Sequence, residues 1–325
     1  MTILNDIVEN TRAKLESKKA ELPLAEIISK LNELNLPKGA FKESLLNKDQ
    51  AIIAEIKKAS PSAGIISEDF DPIKKAKEYE DFGASALSIL TEEDFFQGSS
   101  EYLKEVKAKT SLPILRKDFM IDEYQIYEAK LIGADCILLI ASVLNDDEIQ
   151  SFVDLAESLE LEYLIEVHDL KELERVKNFS NAMIGVNNRN LKTFDVDLNN
   201  SINLKNAFNS NNLFIAESGI KSQDDIDTLK AHDIHVFLIG ESLMKGDLAE
   251  QDLPRRLPSL MSRPTKQTAR ITASMLKTKP TDARSAPGRV TRHSFASLIA
   301  YLRAMRQALA RRATGDPSRE HKTAF

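Results

Sequence analysis

From residue 49 onward the chain alternates between two rhythms. Short runs rich in Ile, Val and Leu are followed by longer stretches in which apolar residues return at helical spacing. Eight runs stand out: AIIAEIK from Ala51, ALSIL from Ala86, PILRK from Pro113, DCILLI from Asp135, EYLIEV from Glu162, AMIGVN from Ala182, LFIAES from Leu213 and HVFLIG from His235. They start 20 to 35 residues apart, the repeat length of successive βα units around a parallel sheet. Eight units of this size predict an α/β fold of one closed (β/α)8 barrel rather than an open doubly wound sheet, and the GxGxxG turn of a dinucleotide-binding sheet is missing after the first run. Ahead of it, two amphipathic patterns around 4–18 and 24–34 predict a helical N-terminal extension over 1–48, and DFDP at 69–72 reads as a helix start.

The rhythm stops near residue 254, and the composition changes there. Of the 44 basic and 50 acidic residues, 16 and 3 lie in 255–325, which leaves 28 and 47 in 1–254. The last 71 residues therefore carry +13 and the rest −19. Four arginines, Arg12, Arg116, Arg175 and Arg189, precede the break and 12 follow it, while asparagine vanishes after it. The chain thus divides into an extension (1–48), a barrel (49–254) and a basic tail (255–325). The tail begins with Pro, Ser, Thr and Arg in no apolar period, a composition expected to be disordered. Phe295, Leu298, Ile299, Leu302, Met305 and Leu309 then predict one basic amphipathic helix near 294–312. Such a helix suits a membrane surface, a nucleic acid or a partner helix; an appended segment without a selected role is the plainer reading, and the tail's partner is not specified.

The whole-chain balance, 42% hydrophobic and 29% charged, is ordinary for a globular protein, and no apolar run approaches the roughly 18 residues of a membrane span. The first residues lack the pattern of a secretory leader, so a cytoplasmic location is expected. Cys136 has no partner for a disulfide, and five histidines without Cys or His pairs at ligand spacing supply no metal site.

In a barrel of this kind the active site sits at the C-terminal ends of the strands. Here the first run ends in Glu55 and Lys57, the third in Lys117, the fifth in Glu166, the sixth in Asn187 and Arg189, the seventh in Glu217 and Ser218, and the eighth in Gly240 and Glu241. A single polar strand end is commonly just solvated, but repetition at one mouth points to chemistry. Gly219 and Gly240 sit in the turns after the last two runs, where barrels commonly hold a phosphate, so a phosphorylated small molecule is the expected ligand, with no membrane or nucleic acid needed by the barrel. His168 follows a strand end and reads as a supporting or loop residue, and Cys136 as inert core.

The motifs EIKKASPSAG (55–64), PILRKDF (113–119), LIEVHD (164–169), GVNNRNL (185–191), IAESGI (215–220) and LIGESLM (238–244) together closely resemble indole-3-glycerol phosphate synthase, in order over about residues 2–250 and not over the tail. The resemblance implies conversion of 1-(2-carboxyphenylamino)-1-deoxy-D-ribulose 5-phosphate to indole-3-glycerol phosphate, carbon dioxide and water, without metal or organic cofactor. It assigns the general acid of ring closure to Lys117, a role best served by a lysine whose pKa burial or nearby cations bring down toward neutrality. Lys57 and Glu55 would serve the dehydration, and Glu166 would accept a proton or stabilise charge on the ring nitrogen. Arg189, Asn187 and Lys57 would meet the substrate carboxylate, and Phe119 and Leu138 would wall the aromatic ring. Ser60 with the backbone of Gly219, Gly240 and Glu241 would hold phosphate, Ser218 a sugar hydroxyl, and Glu217 would join the hydrogen-bond network. Ala63 departs from the family pattern, in which lysine is frequent there. Another sugar-phosphate isomerase or aldolase is the competing enzyme reading. A nucleic-acid or membrane binder on a barrel scaffold is the competing reading from another class.

Overall fold

The eight apolar runs form the eight strands of a closed parallel barrel: β1 (Ala51–Ile56), β2 (Ala86–Leu90), β3 (Ile114–Lys117), β4 (Cys136–Ile140), β5 (Glu162–Val167), β6 (Met183–Asn187), β7 (Leu213–Glu217) and β8 (Val236–Ile239). The computed structural model describes residues 2–245 apart from 35, 37, 47 and 209. The tail and its expected helix lie outside the described residues, as does the boundary at 254. Closure is shown by β1, which pairs with β2 on one side (Ile53 beside Ala86) and with β8 on the other (Ala51 beside Val236).

Strand side chains alternate between two environments, as the pleat requires. Inward positions Ala51, Ile53, Ala86, Leu115, Cys136, Leu138, Leu164, Met183, Ile215, Val236 and Leu238 fill the barrel. Outward positions such as Ile52, Ala54, Leu87, Ile89, Ile165, Ile184 and Phe237 pack under the helices, so both faces are buried and the runs read as continuously apolar.

The helices between strands are α4 (Pro72–Phe82), α5 (Ser100–Lys107), α6 (Glu123–Leu131), α7 (Asp146–Ser158), α8 (Leu170–Val176), α9 (Asn199–Ala207) and α10 (Gln223–Lys230); α11 (Glu241–Lys245) follows β8. Their starts are set locally. Asp71 accepts the Lys74 N–H at 2.9 Å with Pro72 in the first turn, so DFDP is the helix start expected from sequence. Asn145 with Glu148, and Ser222 with Asp225, close reciprocal capping boxes. The extension folds as α1 (Ile3–Glu21) and α2 (Leu24–Glu33), where two helical patterns were expected, followed by α3 (Phe41–Leu45), which the pattern does not signal. Phe41 and Leu45 of α3 are fully buried in the cluster that fills the barrel. The Glu162 carboxylate at the start of β5 accepts the backbone N–H groups of Phe41 and Lys42, fixing where α3 begins. No described helix is long and apolar enough to cross a membrane.

Candidate active site

The inward alternation carries on past the apolar layers, and at the C-terminal ends of the strands it meets charge. Two residues on from Ile53 lies Glu55, and two further is Lys57; Leu115 is followed inward by Lys117, Leu164 by Glu166, and Ile215 by Glu217. These side chains surround a cavity of about 590 Å³. Every candidate named from sequence lines it: Glu55, Lys57, Ser60, Lys117, Phe119, Leu138, Glu166, Asn187, Arg189, Glu217, Ser218, Gly219, Gly240 and Glu241.

At the cavity's centre the Lys117 ammonium donates to Glu217 at 2.6 Å and to Glu166 at 3.1 Å. Lys57, one residue past the end of β1, pairs with Glu55 at 2.5 Å, the contact that a spacing of two along extended chain allows. Asn187 donates from Nδ2 to the second oxygen of Glu166 at 3.2 Å, and its own Oδ1 accepts the Arg189 N–H. The Arg189 guanidinium reaches the Phe194 carbonyl and lies 3.7 Å from Glu241.

Two glycines are required by close approach. A Cβ on Gly185 of β6 would fall on Glu217 Oε1, and one on Gly240 would fall on Glu55 Oε1, so each leaves room for a carboxylate from another strand. After β7 the chain turns through Ser218 (φ 65°) and Gly219 (φ 84°), two successive left-handed residues, with the Ser218 carbonyl held by Asn188 at 3.2 Å. Ser60 lies in a short antiparallel turn in the first βα loop, opposite Gly64, and its Oγ accepts the Ala63 N–H at 3.2 Å.

The charge states differ from the simplest expectation in one respect. Burial by itself would lower the Lys117 pKa, as a general acid would favour. The charges of Glu217, Glu166 and Glu55 outweigh it, and the net shift is upward. Lys117 is therefore a firmly protonated ammonium in this state, not one drawn toward neutrality. The two carboxylates that share it are driven apart. Burial, countered by Lys117 and reinforced by the Glu166 charge, raises Glu217 to about 7. Glu166, which burial would also raise, is held low by Lys117, His168 and Asn187.

His168 does not line the cavity; it stands behind Glu166, in the supporting place its position in LIEVHD implied. Cys136 is fully buried inside the barrel, and burial pushes its thiol well up, out of reach of redox or nucleophilic use.

Several contributors escaped the sequence reading. Ile3, Leu4 and Ile7 of α1 form part of the cavity wall, and Phe96 after β2 brings its ring to 6.1 Å from that of Phe119. Phe194 and Val196 line the cavity from the loop after β6. Behind β3, Arg116 is fully buried among Thr91, Asp118, Glu128 and the Gln125 carbonyl, which fixes the backbone on both sides of Lys117. Phe96, Phe194 and Val196 have no periodic or motif signal; Leu4 and Ile7 belong to the helical pattern at 4–18, which does not say that the helix meets the site, and Arg116 was visible as the arginine of RKDF.

A family model and the curated relatives agree. A family model described as indole-3-glycerol phosphate synthase matches residues 4–255. Curated proteins of that name are similar over most of their length. The chain is 46% identical to the one from Ruminiclostridium cellulolyticum over 245 residues, 75% of this chain and 94% of the relative. Identity is 46% over 243 residues with that of Thermoanaerobacter pseudethanolicus (75% and 92% covered) and 45% over 251 residues with that of Acinetobacter baylyi (77% and 93% covered).

Proposed function

The chain belongs to the indole-3-glycerol phosphate synthase family and is a carboxy-lyase of tryptophan biosynthesis, acting on a phosphorylated small molecule, and from that premise we propose how its side chains divide the work. The observation that carries the proposal is the Lys117 ammonium, half-buried in the cavity wall and held between two buried carboxylates.

Ring closure joins the aromatic carbon that bears the carboxylate to the ribulose carbonyl carbon, and the carbonyl oxygen must gain a proton as the bond forms. Lys117 donates it. Its upward-shifted pKa suits a group that must stay charged until the substrate arrives; a carbonyl oxygen placed beside Nζ would then compete with Glu217 and Glu166 for its N–H groups. Glu166, held ionised, faces the positive charge that develops on the ring nitrogen and favours it. Carbon dioxide leaves with the electron pair returning to the ring. The hydroxyl made from the carbonyl oxygen then departs as water, with Lys57 protonating it and Glu55, 2.5 Å from Lys57, taking the proton lost from the carbon beside the ring nitrogen, whose C–H electron pair becomes the new double bond. Glu217 orients Lys117 through the 2.6 Å bond.

Arg189 and Asn187 receive the substrate carboxylate, with Lys57 nearby, and Phe119 and Leu138 flank the ring. Ser60 and the backbone at Gly219, Gly240 and Glu241 receive the phosphate, with Ser218 at a sugar hydroxyl. Residues 49–254 form the catalytic unit, with 1–48 as its extension and 255–325 as a segment that the chemistry does not call for. The lone cysteine agrees with a reducing cytoplasm.

The test is turnover of 1-(2-carboxyphenylamino)-1-deoxy-D-ribulose 5-phosphate by the full chain, followed by indole fluorescence. Lys117→Ala should lose at least about a hundredfold in kcat, the scale of a positioned acid, while substrate binding stays measurable. Undiminished turnover in the variant would remove Lys117 from the acid role.

A further inference from the structure

Behind Glu166 stands a titratable group that ring closure does not use. His168 lies two residues beyond Glu166, at the end of β5, with a side chain 16% exposed. Its Nδ1 is 3.2 Å from Glu172 Oε2 in the first turn of α8, and that same oxygen accepts the His168 backbone N–H at 2.8 Å. Its Nε2 lies 3.4 Å from Glu166 Oε1, too far for a well-formed hydrogen bond, and is buried without another partner among the described residues. The backbone beneath the ring is fixed as well: Asn200 of α9 donates to the carbonyls of His168 (3.0 Å) and Asn187 (3.2 Å).

The imidazole is thus set between two carboxylates. A neutral ring has one N–H and would turn a lone pair toward one of them, whereas an imidazolium offers an N–H to each. Glu166 in turn accepts from Lys117 on one oxygen and from Asn187 on the other, with the His168 ring 3.4 Å from that second oxygen, so the histidine adds a nearby charge that favours the ionised form. We propose that His168 is a positioning residue acting as an imidazolium, clamped by Glu172, that keeps Glu166 ionised and aimed at Lys117. The proposal rests on the reading of Glu166 as part of the catalytic group. The titratable groups whose charge acts on the ring are Glu166 from β5, Glu172 from α8 and Glu217 from β7, the last of which takes up its proton near pH 7. Burial opposes the charged ring, but the bond to Glu172 and the charges of Glu166, Glu172 and Glu217 prevail and raise it above the usual 6.5.

The experiment measures kcat against pH for the full chain and for His168→Gln, Glu172→Gln and Glu166→Gln, and follows the His168 ring resonances of the unmodified protein by NMR. At about pH 6, where the ring is charged, His168→Gln should be about tenfold slower, because Glu166 loses the cation that aims it at Lys117 and its misplacement slows the chemical step. The deficit should shrink toward nothing as pH rises through the imidazole titration seen by NMR, because the unmodified protein then loses the same charge. Glu172→Gln, which retains the histidine, should move that alkaline limb to lower pH. A deficit that is the same at every pH would mark a merely structural histidine and overturn the proposal, as would ring resonances titrating below 6.5. Glu166→Gln separates the two levels. If it leaves kcat intact, the catalytic reading of Glu166 falls and this proposal with it; if it lowers kcat while His168→Gln matches the unmodified protein throughout, the His168 proposal alone falls.

Discussion

Three inward carboxylates, Glu55, Glu166 and Glu217, face two ammonium groups, Lys57 and Lys117, and Glu217 is the carboxylate that is hardest to ionise. Its Oε1 is buried and accepts no hydrogen bond from the described residues, while its Oε2 leans on Lys117. Burial and the Glu166 charge therefore raise Glu217 from 4.5 to about 7 against the pull of Lys117, and the proton belongs to the pair rather than to one residue. The sign of the stability effect follows. A carboxyl raised in the folded state binds its proton more tightly folded than unfolded, so its contribution is whole below pH 4.5 and is lost as pH rises through about 7. Glu217→Gln should remove that loss. In urea titrations the variant should gain on the parent between those pH values, and a difference that does not vary with pH would refute the assignment. The lysines and carboxylates themselves were legible in the sequence because each ends an apolar run at the inward parity. The room left by Gly185 was not, since it exists only for Glu217 on the neighbouring strand.

Among the elements, the same distinction between local and long-range signals separates what the pattern reveals from what it hides. Eight runs and most of the helices announce themselves through period and caps, as Asp71–Pro72 does for α4. Helix α3 does not, because five residues are too few to show a period and its only role is distant: Phe41 and Leu45 plug the barrel interior. The α1 wall was also hidden. That helix is anchored by polar contacts to the loop after β2, with Lys14 on Glu93 and Asp94 and Asn10 on Asp94, and it sends Ile3, Leu4 and Ile7 to the cavity. The plug carries the clearer energetic consequence. Phe41 is wholly buried, so Phe41→Ala should cost about 3–5 kcal/mol in transfer and cavity terms. Because the cavity lies at the opposite ends of the strands, KM should stay near the parent value under conditions where the variant remains folded. A shifted denaturation midpoint with unchanged KM is the expected result; a stability change below about 1 kcal/mol would show that α3 does not fill the interior.

For the whole molecule, charge and chemistry divide at the same place along the chain. Every residue proposed to touch substrate lies between Glu55 and Glu241, and the family match ends at residue 255, just where the acidic composition turns basic. Removal of 255–325 should therefore leave kcat within about twofold, since no group that differs between ground and transition state is lost. The encounter with substrate is a separate matter. The substrate carries a phosphate and a carboxylate, and the net charge it meets falls from −6 for the full chain to −19 without the tail. Ala63 supplies no positive charge to the first loop. Long-range repulsion should then slow association of the shortened chain at low ionic strength, an effect that added salt screens once the Debye length falls to about 8 Å near physiological strength. The measurement is kcat and kcat/KM for both chains across a salt series. Equal kcat, with a deficit in kcat/KM for the shortened chain that closes as salt rises, is the expected pattern. A tenfold or larger fall in kcat would instead make the basic segment part of the catalytic machinery, and the division of the chain at residue 254 would have to be abandoned.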